Sequence, residues 1–309
     1  MFATGLMALN ALAADQWVAA WAASSHGPYP AGNAVAQPDL HALLVDGEAN
    51  DQTFRLIVKP DLGGGRVRIR LTNVFGSKAV SFDGVYVGVH GTGGSLLPGT
   101  NRPVRFRGGK TGVTIEPGEL VWSDPVDLGS AKSAGSAAWD GRKLAVSFHV
   151  AGASGPVTWH AKAMQTSYLS RPGSGSHGGE ESSDSFPFTT TSWYFLDAVE
   201  VMAPGNTQVV VAFGDSITDG TNSTINGDDR WPDFLAQRAR TAFGTRVVVV
   251  NAGIGGNQVS GPAKYDPAKP IGGGPSALQR LDRDVLGLSG VSTVIWLEGI
   301  NDLGSSKAA

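Results

Sequence analysis

Through the first two thirds of the chain, apolar positions recur with period two in short runs. Arg66-Val67-Arg68-Ile69-Arg70-Leu71-Thr72 alternates strictly, and residues 80–89, 112–115, 143–150 and 157–163 add further β-rich stretches. Leu62-Gly63-Gly64-Gly65, Gly91-Thr92-Gly93-Gly94 and Glu116-Pro117-Gly118 separate them with turn formers. Many short strands between Gly and Pro turns predict an all-β sandwich, jelly-roll-like, over residues 15–204. Within it, residues 171–184 (RPGSGSHGGEESSD) nearly lack apolar side chains and predict a long flexible loop. One more strand is expected from Trp193 to Val201, with the domain boundary at Ala203-Pro204-Gly205-Asn206.

Beyond that boundary the pattern changes to strand and helix in alternation. The β-branched run from Val209 to Phe213 predicts a buried strand, and WPDFLAQRARTAF (231–243) predicts an amphipathic helix with Pro232 in its first turn. Residues 246–250 predict a second strand, 276–286 another helix, and 293–297 a third strand. Such βαβ units imply a parallel sheet with right-handed crossovers. The fold class expected is therefore a β-sandwich followed, over residues 205–309, by an incomplete α/β domain of about three parallel strands. The third strand should be left as an uncovered apolar edge.

With 309 residues, 17% of them charged and 41% hydrophobic, the chain reads as globular rather than disordered, with room for two domains. A formal net charge of −3 and the absence of a basic run speak against nucleic-acid partners. Zero cysteines exclude disulfides, thiolate zinc sites and cysteine nucleophiles. The first fourteen residues, MFATGLMALNALAA, resemble the end of a secretory signal peptide, with Ala11-Leu12-Ala13 as an A-x-A cleavage pattern. The first basic residue is Arg55, so the start is expected to lie upstream, and the mature protein is expected to be secreted or periplasmic. No later run is long enough for a membrane-spanning helix.

Three motifs follow the three predicted parallel strands: Gly214-Asp215-Ser216, Asn251-Ala252-Gly253-Ile254-Gly255-Gly256-Asn257 and Glu298-Gly299-Ile300-Asn301-Asp302. Strand carboxyl ends form the ligand-binding rim of open α/β sheets, so the three should converge. Acyl transfer needs a nucleophile and donors aimed at the developing oxyanion. Ser216 can supply the hydroxyl. Its own N–H, an N–H of the glycine turn and the Asn301 amide can supply the donors. Asp215, Asp219 and Asp302 are expected to cap helices and fix turns rather than to act as bases or metal ligands. Asp228-Asp229 fits no calcium loop and reads as a solvated turn.

These motifs resemble blocks I, II and III of the SGNH (GDSL) hydrolase family. The whole chain resembles the bacterial secreted subgroup in which a β-sandwich precedes the hydrolase domain, with Arg66 to Gly76 and Trp17 to Ala23 typical of it. The resemblance implies a flavodoxin-like sheet, Ser216 as nucleophile, and Ser216, Gly256 and Asn301 as the oxyanion hole. It further implies a serine esterase or acetylesterase acting on a small-molecule, lipid or acetylated-carbohydrate ester, with no cofactor and no metal. It leaves the oligomeric state undetermined. Family members carry a catalytic Asp and His in a C-terminal D-x-x-H block. All six histidines here (His26, His41, His90, His149, His160, His177) precede Ser216. A serine lacks nucleophilicity without an adjacent base, so the chain is expected to be inactive or nearly so, and truncated by on the order of 100 residues. Lys307 is a poor substitute base near the terminus. A different class of function stays open: a glycan- or partner-binding sandwich with a remnant hydrolase half, or a sandwich serving as spacer or lid. Trp17, Trp21, Trp159 and Trp193 are expected in the core rather than on a sugar-stacking platform, and His149 and His160 are expected to be structural.

Overall fold

The computed structural model describes residues 14–28, 44, 47–129 and 139–305. The leader reading (Ala14 apart), His41 and Lys307 lie outside the described residues.

The alternation at Arg66–Thr72 does form a strand, and Val67, Ile69 and Leu71 turn inward with at most 1% exposure. That strand sits in an antiparallel sheet ordered Gln16–Ala22, Leu196–Ala203, Arg66–Thr72 and Leu120–Trp122, with Val126–Asp127 paired to the start of Arg66–Thr72. A second antiparallel sheet runs Phe188–Thr190, Ser167–Leu169, Glu48–Val58, Leu144–Pro156, Val80–Val89 and Arg102–Pro103, with Val113–Ile115 on the other part of Val80–Val89. Phe54, Phe82 and Phe148 of the second sheet pack on Phe195, with ring centroids 5.3–6.4 Å apart. Trp21, Trp159 and Trp193 are buried in the same apolar cluster, and Arg68 covers the Trp17 ring.

Three expectations need correction. The strand predicted over 157–163 is reduced to Trp159–His160, because the carbonyls of Lys162 and Ala163 turn away to accept from the Arg230 guanidinium. The strand predicted from Trp193 is cut at Phe195, which takes φ 55° and drops its ring into the core between Trp193–Tyr194 and Leu196–Ala203. Residues 171–184 hold no helix or strand, yet they are tied down. Buried Arg55 donates to the carbonyls of Gly94 (2.7 Å), Ser182 (2.8 Å) and Glu180, and Gly173 N–H donates to Asn50 O. A guanidinium without solvent must find acceptors, and this loop supplies two of them. Burial pushes Arg55 down to about 10.

After the turn closed by Thr207 N–H on Pro204 O, the chain forms a parallel sheet ordered Val247–Gly253, Gln208–Gly214, Val291–Leu297. The Trp231–Phe243 helix starts where Asp233 reaches back to Arg230 N–H (3.0 Å) and stops at Gly244, φ 64°. Its Ala236 and Ala239 pack on Val249. The helix predicted over 276–286 divides into an α-helix, Ala277–Leu281, and a π turn, Asp282–Leu286, closed by Gly287 N–H on Asp282 O. The Val291–Leu297 strand is the exposed edge: Val294, Ile295, Trp296 and Leu297 are 38–43% exposed. Among the described residues no helix is long and apolar enough to cross a membrane.

The apolar core crosses the 204–207 turn without a break, joining Val18 and Val199 to Val209, Phe213 and Val250. Arg68 and Arg70, on the polar face of Arg66–Thr72, are likewise turned toward the α/β part. Arg70 pairs with Asp197 (2.7 Å) and reaches Arg283 O, while Glu200, held by Arg68, accepts from Ser289 N–H (3.0 Å).

Candidate active site

Register places the three motifs side by side. Gly214, the last residue of the central parallel strand, lies opposite Gly253 on one side and Leu297 on the other. Each motif therefore begins at the same rim.

At the first, Asp215 caps a single helical turn, Ser216–Asp219, by accepting from Ile217 N–H (2.9 Å). Ser216 is thus the first residue of a helix start and is half-buried. Its hydroxyl has no hydrogen-bond partner among the described residues. The turn closes at Gly220, φ 93°, on Ser216 O.

The second motif folds against the first. Asn251 donates to Thr218 O (2.7 Å) and accepts from Gly253 N–H (2.9 Å), and Ile254 N–H donates to Gly214 O (3.0 Å). Gly255 N–H donates to Asp219 Oδ2 at 2.7 Å. Gly256 follows at φ 84°, exposed, and its N–H carries no hydrogen bond among the described residues. An unpaired N–H on a positive-φ glycine is what an oxyanion donor requires.

The close fit of these two turns is testable. A Cβ on Gly253 would lie 2.3 Å from Asp219 N and 2.7 Å from Asp219 Cα, both backbone atoms that no rotamer change can move. Gly253→Ala is expected to cost about 1–3 kcal/mol by overpacking. The urea midpoint measures it, and a wild-type midpoint would show that the turns do not meet this closely.

The third motif starts a short helix, Ile300–Ser305. Asn301 Nδ2 donates one hydrogen to Asn257 O (2.8 Å), leaving the second for another acceptor. Asp302 accepts from Val259 N–H (2.9 Å) and Ser260 N–H (3.2 Å), so it fixes the loop after the glycine turn. Burial alone would raise the Asp302 carboxyl, and those backbone hydrogen bonds together hold it below the usual range. Asp228 forms ion pairs with Lys59 (3.2 Å) and Lys143 (3.1 Å), and Asp229 accepts from Thr224 N–H. No group of three or more metal-ligating side chains occurs among the described residues.

One residue was not singled out in the sequence. Arg280, 0% exposed, lies over the Phe213 ring at 4.0 Å and donates to groups from all three motifs: Gly214 O (2.9 Å), Ala252 O (2.7 Å), Asn257 Oδ1 (2.8 Å) and Glu298 Oε1 (3.2 Å). It also meets Ser24 Oγ and Asp284. Burial lowers its guanidinium below the ordinary value, against the pull of Asp284 and Glu298. The only sequence signal is its spacing from Asp284, i to i+4.

His160 is buried, with Nε2 3.1 Å from Asp219 Oδ1 and Nδ1 2.8 Å from Ser24 O. Burial alone would raise the Asp219 carboxyl. His160, through charge and hydrogen bond, holds it below the usual carboxylate range, with help from Arg230 and Lys162. His149 lies well away in the sequence from the motifs, bridging Asp83 (2.6 Å) and Asp51 (2.8 Å).

Comparison with known proteins adds a family. Nothing among curated proteins matches the chain. A solved structure of an active-site mutant of a family two carbohydrate esterase from Clostridium thermocellum, in complex with celluohexase, is 12% identical with a TM-score of 0.24. That alignment covers 84% of this chain and 62% of the other, so the chain spans less than two thirds of that protein's length. The three motifs all lie inside one stretch that is similar to a known family: residues 212–309 match the GDSL-like lipase/acylhydrolase family.

Proposed function

We propose that the chain is a serine carboxylester hydrolase of esterase or acetylesterase type. Residues 15–204 are read as a β-sandwich and residues 205–309 as part of an SGNH domain. The strand order of its sheet, second-first-third, is the beginning of the flavodoxin-like order. Export belongs to the same reading and rests on the apolar Met1–Ala14 segment. The observation that supports the proposal is the in-register pairing of Gly214 with Gly253 and Leu297, so that the segments carrying Ser216, Gly256 and Asn301 all leave the sheet from one rim.

In this reading Ser216 Oγ attacks the carbonyl carbon of a small-molecule, lipid or acetylated-sugar ester. The carbonyl electron pair moves onto oxygen, where the N–H groups of Ser216 and Gly256 and the free Asn301 amide hydrogen receive it. Each such donor contributes about 3 kcal/mol to the transition state. Ser216 Oγ gives up its proton to a base from solution; collapse expels the alcohol, which takes up that one proton equivalent, and leaves an acyl-serine for water to cleave. Deacylation also needs a base to activate water, so an acetyl group delivered by an activated ester should persist on Ser216.

Prolonged incubation with p-nitrophenyl acetate and imidazole as an external base, followed by peptide mass spectrometry, tests this. The expected result is an acetyl group on Ser216 in the native chain and none at Ala in Ser216→Ala. Acetylation confined to surface lysines, identical in both proteins, would sink the proposal.

A further inference from the structure

We propose that His160, contributed by the antiparallel part of the chain, is a positioning residue for the oxyanion turn: through buried Asp219 it holds Gly255, and with it the Gly256 N–H. The inference rests on the reading of Gly256 as oxyanion donor.

Asp219 stands between two partners. One oxygen faces His160 Nε2 at 3.1 Å, and the other accepts from Gly255 N–H at 2.7 Å. The carboxylate is 3% exposed and the imidazole 5%, so the link between them is dry. His160 is itself held from both sides. Its Nδ1 faces Ser24 O, its ring lies 5.5 Å from the Trp193 ring at 31°, and its backbone pairs with Trp193. A rigid mount on the antiparallel part thus ends on a single backbone amide, one residue before the donor glycine.

The neighbouring contacts run the same way. Lys162, two residues on, donates to Thr221 Oγ1 at 3.2 Å, and a Cβ on Gly255 would lie 2.3 Å from its Nζ. On the other side of the turn, a Cβ on Gly273 would meet Gly256 O at 2.5 Å. The turn is therefore clamped between two segments, and His160–Asp219 is the polar part of the clamp.

A buried polar pair is weak ground for stability alone, since well-packed apolar residues of similar volume often serve as well or better. Holding an amide in place is a role that an apolar pair cannot perform, because the Gly255 N–H needs an acceptor of fixed orientation. This gives the antiparallel part a share in the chemistry rather than the role of spacer.

The test compares His160→Leu, which removes the donor to Asp219, with His160→Gln, whose amide can still donate toward it. Amide hydrogen exchange in peptides covering 251–258 reads the turn without any need for catalysis. In His160→Leu, exchange at Gly255 is expected to accelerate beyond any change in the Arg66–Thr72 strand, and His160→Gln to restore most of the protection. With imidazole supplied as the base, acylation of Ser216 by p-nitrophenyl acetate at saturation is expected to slow by about 10²-fold in His160→Leu with little change in KM, the usual cost of a misplaced group. If His160→Leu does not fold, Asp219→Ala, which removes the acceptor of Gly255 N–H, carries the same expectations for exchange and acylation. Exchange that is unchanged at the turn, or that rises equally throughout the chain, overturns the inference. Ser216 left unacylated in every protein, with the turn loosened only in His160→Leu, overturns the hydrolase reading and supports the clamp.

Discussion

Arg280→Met is expected to destabilise the chain by about 3–5 kcal/mol, the cost of leaving buried charges without their partner. Methionine can fill the space over Phe213 but donates nothing. Glu298 and Asp284, 0% and 3% exposed at their side chains, would then face the interior with reduced compensation. Asp284 keeps Arg283 at 2.5 Å, whereas Glu298 keeps only Trp296 Nε1 (2.9 Å). Glu298 is already raised above its ordinary value by burial, against the pull of Arg280, so losing Arg280 should raise it further. Gly214 O and Ala252 O lose donors as well, each a buried carbonyl at the end of a parallel strand.

Urea unfolding followed by tryptophan fluorescence measures this loss. Against the 5–15 kcal/mol typical of a folded domain, it brings the protein to the edge of unfolding (about 3–5 of that total). A second substitution distinguishes the orphaned charge from lost packing. Adding Glu298→Gln to Arg280→Met should recover part of the loss, because a neutral amide is cheaper to bury than an unpaired carboxylate. A single-mutant loss under about 1 kcal/mol, the level of a surface substitution, would contradict the hub.

Arg280 also marks the limit of what the chain shows as a sequence. The apolar run Val209–Phe213 and the helix at 231–243 were legible because each declares its own period, and the meeting of the three motifs followed from where parallel strands end. Arg280 declares nothing of the kind. Its acceptors come from Ser24, Gly214, Ala252, Asn257, Asp284 and Glu298, so its burial is a property of assembled segments, while locally it reads as a solvent-facing arginine. Arg55 in the antiparallel part repeats the lesson, with a loop that composition marks as flexible folded around its guanidinium. Arg68 and Arg70 show the same failure in a strand. Period two assigns them correctly to the polar face, but what covers that face lies more than 200 residues away in the sequence, at Arg283 and Ser289. His160 was recognisable as structural. Its partner Asp219, 59 residues on, was not.

The largest kinetic effect concerns the proton of Ser216. Among the described residues no side chain hydrogen-bonds the Ser216 hydroxyl, and no histidine follows it in these 309 residues. His160 has both nitrogens committed, to Ser24 O and to Asp219. A serine hydroxyl without a base is a poor nucleophile, and in a serine protease removing the histidine alone lowers kcat by about 10⁶. The 309-residue chain is therefore expected to hydrolyse p-nitrophenyl acetate only slightly faster than its Ser216→Ala variant in a non-basic buffer. The oxyanion donors need no proton transfer and should still be in place, so a base supplied from solution has a prepared site to act on. Added imidazole should accelerate acylation of Ser216 in proportion to its concentration. The effect should grow as pH rises through about 6.5, the range in which an imidazole ring loses its proton and becomes a base. Ser216→Ala should show only the slow hydrolysis that imidazole gives alone. Asn301→Ala should retain the proportionality with a slope lower by about 10²-fold or more, the usual loss for one oxyanion donor. Full turnover without imidazole, abolished by Ser216→Ala, would instead mean that a base within the chain reaches Ser216 in solution.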